Sequence, residues 1–89
     1  MQSRPEPEFW RLYRLMPDDI RKEARQAYRF WLVDPRHNSL QFKKVDAASN
    51  VYSVRIGKGY RILGRLEGDT LIWFFIGTHA DYLRRLASR

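Results

Sequence analysis

Two arginines, Arg55 and Arg61, flank the segment Gly57-Lys58-Gly59, and farther along the chain stand His79 and Tyr82. Together these supply what metal-free scission of an RNA phosphodiester requires. A 2′-hydroxyl must lose a proton, charge on the pentacoordinate phosphorus must be stabilised, and the 5′-oxygen must regain a proton. Arginine suits the second task through its charged planar fork. A histidine side chain, with a reference pKa of about 6.5, accepts or donates a proton near neutrality. A tyrosine can orient a hydroxyl or stack on an unpaired base. Lys43, Lys44, Lys58 and Arg65 lie near enough in the expected sheet to add phosphate-binding charge.

Each residue also has a purely structural use. His79 fits a cap or a packing position at the start of a terminal helix, Tyr82 fits a core, and Lys58 and Arg65 fit a solvated surface. Other chemistries find less support. His37 and His79 are the only histidines, and no HExxH or clustered Asp/Glu set accompanies them, so no metal is expected. The Gly-Lys-Gly segment lacks the length and the following helix of a phosphate-cradling loop. Ser39, Ser49 and Ser53 have no nucleophile-elbow context.

Positioning the arginines is a matter of strand register. Glycines supply the positive φ angles that tight hairpin connections need, so Gly57-Lys58-Gly59 reads as a three-residue turn between two strands. If Ile56 pairs with Tyr60, Val54 lies opposite Ile62 and Arg55 opposite Arg61. A shift by one residue would mix apolar and charged side chains on both faces, which a half-buried sheet resists. The first register is expected, although directly opposed like charges destabilise a strand pair. An anion between them, either a counterion or a ligand phosphate, would relieve the conflict.

The elements that hold this hairpin follow from periodicity. Phe9, Leu12, Tyr13 and Met16 recur at helical spacing after Pro5, Glu6, Pro7 and Glu8. Pro17 restarts the pattern, and Ile20, Ala24, Ala27, Tyr28 and Trp31 form a second stripe opposite Arg21, Lys22, Arg25 and Arg29. Asp34-Pro35 ends that helix. From Leu40 the period becomes two: "LQFKKV", "VYSVRI" and "YRILGRL" read as strands. After the turn "EGDT", the run "LIWFFI" reads as a central strand that is apolar on both faces, with its register left open. "THADYLRRLASR" reads as a terminal helix, with Thr78 as cap and Asp81 three residues on.

The expected architecture is α+β: an N-terminal αα-hairpin packed on a four-stranded, mainly antiparallel sheet, with a short C-terminal helix. The helices should cover Val54, Ile56, Ile62 and Leu66 on one face and leave Arg55, Arg61 and Arg65 on the other. Trp10, Trp31 and Trp73 are expected in the core.

Composition limits the rest. Eighty-nine residues suit one domain, 1–89, with a single core. Without cysteine, disulfide and thiolate chemistry are excluded, and a cytoplasmic setting is expected. The N-terminus has no apolar signal region, and no run approaches the roughly 18 apolar residues of a membrane span. The 17 Lys+Arg exceed the 10 Asp+Glu, giving a formal charge of +7 and a pI near 10.3, which favours a polyanionic partner.

The run "VYSVRIGKGYRILGRLEGDTLIWFFIGTHADYLRRL" resembles the C-terminal half of the RelE/ParE toxin superfamily of type II toxin-antitoxin systems. The likeness extends over nearly the whole chain. The family order is an αα-hairpin, a strand carrying Leu-Lys, the element Gly-x-x-Tyr-Arg, a hairpin, and an apolar strand ending at His or Arg. Here these correspond to "FKKV", "YSVRIGKGYRIL" and "FIGTHADY". RelE-type members cleave mRNA in the ribosomal A site without a cofactor. The resemblance implies that Arg61 contacts the scissile phosphate, that Arg55 is a basic contact on the preceding strand, and that His79 is a catalytic basic side chain with Tyr82 beside it. It departs from RelE at Ser53, where RelE has a second lysine, and in the spacing from His79 to Tyr82. It further implies an acidic antitoxin, mRNA on the ribosome as target, and operator DNA engaged only through the antitoxin complex. ParE-type members share the scaffold, inhibit DNA gyrase and lack the nuclease residues, which leaves gyrase inhibition as the alternative. An inactive, antitoxin-binding relative is a third.

Overall fold

The computed structural model describes residues 2–88, so Met1 and Arg89 of the expected domain and tail lie outside the described residues. Five strands form one sheet in the order β1-β5-β4-β3-β2. They are β1 (Gln2–Pro5), β2 (Lys43–Asp46), β3 (Val51–Ile56), β4 (Tyr60–Glu67) and β5 (Thr70–Thr78); the helices are α1 (Pro7–Arg14), α2 (Asp18–Val33) and α3 (His79–Ala87). The α+β class is as expected, with one more strand. β1 pairs parallel with β5, from Gln2 opposite Thr70 to Pro5 opposite Trp73. Four residues ending in proline carry little alternation and suit only an edge, which is why this strand escapes a periodicity reading.

All three proline boundaries hold. Pro7 sits in the first turn of α1 and Pro17 is the N-cap of α2, while Asp34 leaves the helical region at φ −149°. Leu40 is buried at the end of a short 3-10 turn, and Gln41 takes a left-handed φ of 45°, so the strand expected from Leu40 starts only at Lys43.

The sheet is covered on both faces. α1 and α2 bury Phe9, Ile20, Ala24, Ala27 and Trp31 against Val54, Ile56, Ile62, Leu71, Trp73 and Ile76. The opposite face, expected to carry arginines, also holds a smaller core in which Val51, Leu63, Phe74 and Phe75 meet Tyr82 of α3. A register shift between Leu63 and Gly64 makes this possible: Leu63 pairs with Phe75 and Gly64 with Trp73, leaving Phe74 as the extra residue of a bulge. The bulge turns Phe74 and Phe75 toward the same side, so β5 can feed both cores. Trp31 and Trp73 are core residues as expected; Trp10 is 43% exposed and is not.

Candidate functional site

The hairpin register is the expected one. Ile56 pairs with Tyr60, Val54 with Ile62 and Arg55 with Arg61, and Gly57 takes a φ of +55° in the turn. Arg61 also pairs on its other side with Gly77 of β5. The row Arg55–Arg61–Gly77 thus lies across three strands on the face covered by α3. Gly77 is part of this packing: a Cβ there would stand 2.8 Å from the Phe75 ring.

α3 begins where β5 ends. The Thr78 hydroxyl accepts from the Asp81 N–H at 3.1 Å, the expected cap. The His79 N–H donates to the Gly59 carbonyl at 2.8 Å, fastening the helix start to the hairpin turn. His79 is exposed, whereas Tyr82, one turn on, is buried. Their rings lie 5.3 Å apart, and the Arg61 guanidinium sits 5.8 Å from the Tyr82 ring centroid, a cation–π contact. Arg55 is half-buried and donates through Nε to the Gly57 carbonyl at 3.2 Å. Arg61 Nη1 is buried and bonds to no protein atom among the described residues. An unsatisfied buried donor on a charged group is costly.

Arg55, Arg61, His79 and Tyr82 therefore come together, and the other basic residues divide. Lys43 lies opposite Ser53, on the Arg61 face one row along; Lys58 is exposed at the hairpin tip. Lys44 lies opposite Tyr52 on the other face, 5.6 Å from that ring, so it does not join the site. Arg65 shares the Arg61 face but is about 13 Å along the strand. There it is bound by Glu67 at 2.6 Å and Glu6 at 2.8 Å, which raise its pKa further, and its charge is already matched. Ser53, at the position where the resemblance puts a second lysine, is fully buried with its hydroxyl unpartnered, and a second neighbour, Gly77, which was not expected, gives the Arg61 row its clear flank. Only the glycine in "FIGTH", at the end of an otherwise bulky strand, was a signal for the second. Among the described residues no three His, Cys, Asp or Glu side chains gather as a metal cluster, and no helix is long and apolar enough to cross a membrane.

An αα-hairpin on one face of the sheet and a capped helix on the other thus flank the opposed arginines of the β3–β4 hairpin. The family model of the ParE-like toxin domain matches residues 18–84, and the chain belongs to that family within the RelE/ParE superfamily. No curated protein sequence matches it. Among solved structures it is similar to a chain of the RelB-RelE antitoxin-toxin complex from Methanococcus jannaschii, with TM-score 0.72, 23% identity, and coverage of 91% of this chain and 95% of that one. It is also similar to the isolated E. coli RelE toxin, with TM-score 0.66, 13% identity, and coverage of 96% and 97%. A chain of the RelBE2 toxin-antitoxin complex from Mycobacterium tuberculosis gives TM-score 0.62 at 18% identity over 86% and 95%. At these identities the likeness is one of fold.

Proposed function

We propose that this chain is the toxin of a type II toxin-antitoxin pair and acts as a metal-independent, ribosome-dependent mRNA endonuclease that stops translation. The observation that carries the reading is Arg61. It remains partly exposed, stands opposite a second partly exposed arginine, Arg55, and has no ion-pair partner among the described residues, an arrangement suited to an anion supplied from outside. In the reaction, Arg61 stabilises charge on the phosphorane, Arg55 holds an adjoining phosphate, and exposed His79 moves the proton. Tyr82, lying against the guanidinium, positions Arg61. Lys43 and Lys58 extend the contact with the RNA backbone. The partner is an acidic antitoxin that covers this basic surface, a reading supported by the neighbours solved as toxin-antitoxin complexes. Operator DNA is engaged through that complex. The setting is the cytoplasm, where mRNA and ribosomes are.

One observation favours inhibition of gyrase without cleavage. Among the described residues, burial of Tyr82 leaves His79 as the exposed member of the His79–Tyr82 pair beside Arg61, where cleavage needs a proton removed and another returned. Pulse labelling after induced expression separates the two. The nuclease reading expects protein synthesis to stop while DNA supercoiling is preserved; continued synthesis with loss of supercoiling overturns it.

A further inference from the structure

We propose that Lys43 and Arg55 form a subsite for the phosphate next to the scissile one, on the side away from His79, so that the RNA backbone crosses the sheet diagonally from the β2 edge to the start of α3. The subsite rests on the nuclease reading and gives the bound strand a path. Lys43 pairs with Ser53, and Arg55 stands two residues beyond Ser53 on the same face of β3. Lys43 and Arg55 are therefore diagonal neighbours at about 7–8 Å, within reach of long side chains. Arg55 pairs directly with Arg61, and past Arg61 the pairing of Tyr60 with Thr78 brings the His79 N–H onto the Gly59 carbonyl. Lys43 and His79 thus lie on opposite flanks of the arginine pair, one toward β2 and the other toward β5.

Free charge on this face is left where that path runs. Lys43 is exposed and forms no ion pair among the described residues, and its partner across the strand pair is the small, buried Ser53. Arg65, farther along the same face, is taken up by Glu6 and Glu67, and Lys44 lies over Tyr52 on the opposite face. In phosphoryl transfer the attacking and leaving oxygens stand roughly in line, on opposite sides of the phosphorus. A backbone held at Arg61 must therefore leave in two directions. His79 lies along one, so the next phosphate in the other direction falls toward Arg55 and Lys43. A lysine ammonium suits that task, being a compact point charge with three donors on a flexible stem.

Single-turnover cleavage on ribosomes programmed with short synthetic messages tests the subsite. Two messages each carry one uncharged methylphosphonate, immediately 5′ or immediately 3′ of the scissile phosphate. With the all-phosphate message, Lys43→Gln should raise the half-saturating toxin concentration about tenfold, the loss of one charge-assisted contact, and act far less on the saturated rate. Lys43→Arg should restore most of the affinity. One of the two methylphosphonates should weaken the parent about tenfold and Lys43→Gln little further, while the other weakens both proteins alike. Any effect of the substitution on the ribosome is common to both proteins and cancels in that comparison. The responsive side also identifies the oxygen that His79 serves: the leaving 5′-oxygen if that side is 5′, the attacking 2′-hydroxyl if it is 3′. Parent and Lys43→Gln responding alike to both methylphosphonates, a Lys43 dependence on both sides, or a lowered saturated rate at unchanged half-saturation would overturn the subsite while leaving cleavage in place. No cleavage of the all-phosphate message by the parent would overturn the nuclease reading and the subsite with it.

Discussion

Arg55 and Arg61 face each other as register partners across the β3–β4 hairpin, and among the described residues neither is ion-paired. Their repulsion is a cost to the fold that a bound phosphate would remove. Replacing Arg55 with Gln should leave the free protein equally stable or stabilise it by about a few tenths of a kcal/mol. Arg61→Ala should reduce cleavage on the order of 10²-fold or more. Thermal melts paired with cleavage assays on both variants check this. An Arg55→Gln protein that is much less stable and fully active would make the pair structural.

His79 and Tyr82 should separate by the kind of defect they produce. His79 is exposed, so His79→Ala should leave the melting temperature nearly unchanged and lower cleavage roughly 10²- to 10⁴-fold. Tyr82 is buried in the smaller core. Tyr82→Phe keeps the ring against Arg61 and should retain most activity, whereas Tyr82→Ala should cost about 3–5 kcal/mol of stability. A Tyr82→Phe protein that folds normally and does not cleave would assign the phenol a direct part in proton transfer.

The register of β3 and β4 was legible because glycines mark their turn and apolar residues alternate with arginines on either side. That of β5 was not, since a run apolar on both faces fits several alignments, and the bulge at Phe74 shifts the alternation partway along. The same bulge builds the second core, so the burial of Tyr82 was open to two readings in the sequence. β1 gave no signal because an edge strand needs no buried side, and Arg65 looked available because its partner Glu6 is distant in sequence. Trp10 sits next to buried Phe9 and turns outward, a one-residue rotation about α1 that composition does not reveal.

Close packing makes two glycines of the sheet irreplaceable for different neighbours. A Cβ at Gly77 would stand 2.8 Å from the Phe75 ring, and one at Gly64 would stand 2.8 Å from the Trp73 ring and 3.0 Å from Leu71. Each change to alanine should destabilise on the order of 1–3 kcal/mol. Gly59→Ala meets nothing within 4 Å and should fall within about 0.5 kcal/mol of the parent. Chemical denaturation of the three variants measures the difference. Equal losses at all three positions would contradict the packing described for the bulge.

Acid sensitivity should fall partly on Glu8. The hydrogen bond from Arg11 outweighs desolvation, and with the charges of Arg11 and Arg85 it holds this carboxyl below its ordinary pKa. A depressed folded-state pKa means that the contribution is present above the unfolded value and is lost as pH falls through the folded one. Glu8→Gln should therefore lower stability slightly near neutrality, flatten the acid limb, and differ little from the parent at low pH. A variant whose stability falls with acid as steeply as the parent's would show that Glu8 takes no part.

Primer extension on a translating message separates cleavage of mRNA on the ribosome from arrest by any other route. With the purified toxin added to ribosomes, new 5′ ends should appear at positions within the A-site codon. These should be lost with Arg61→Ala and absent when the message is naked. Intact message on toxin-treated ribosomes, from a protein that still arrests growth when expressed, would contradict cleavage.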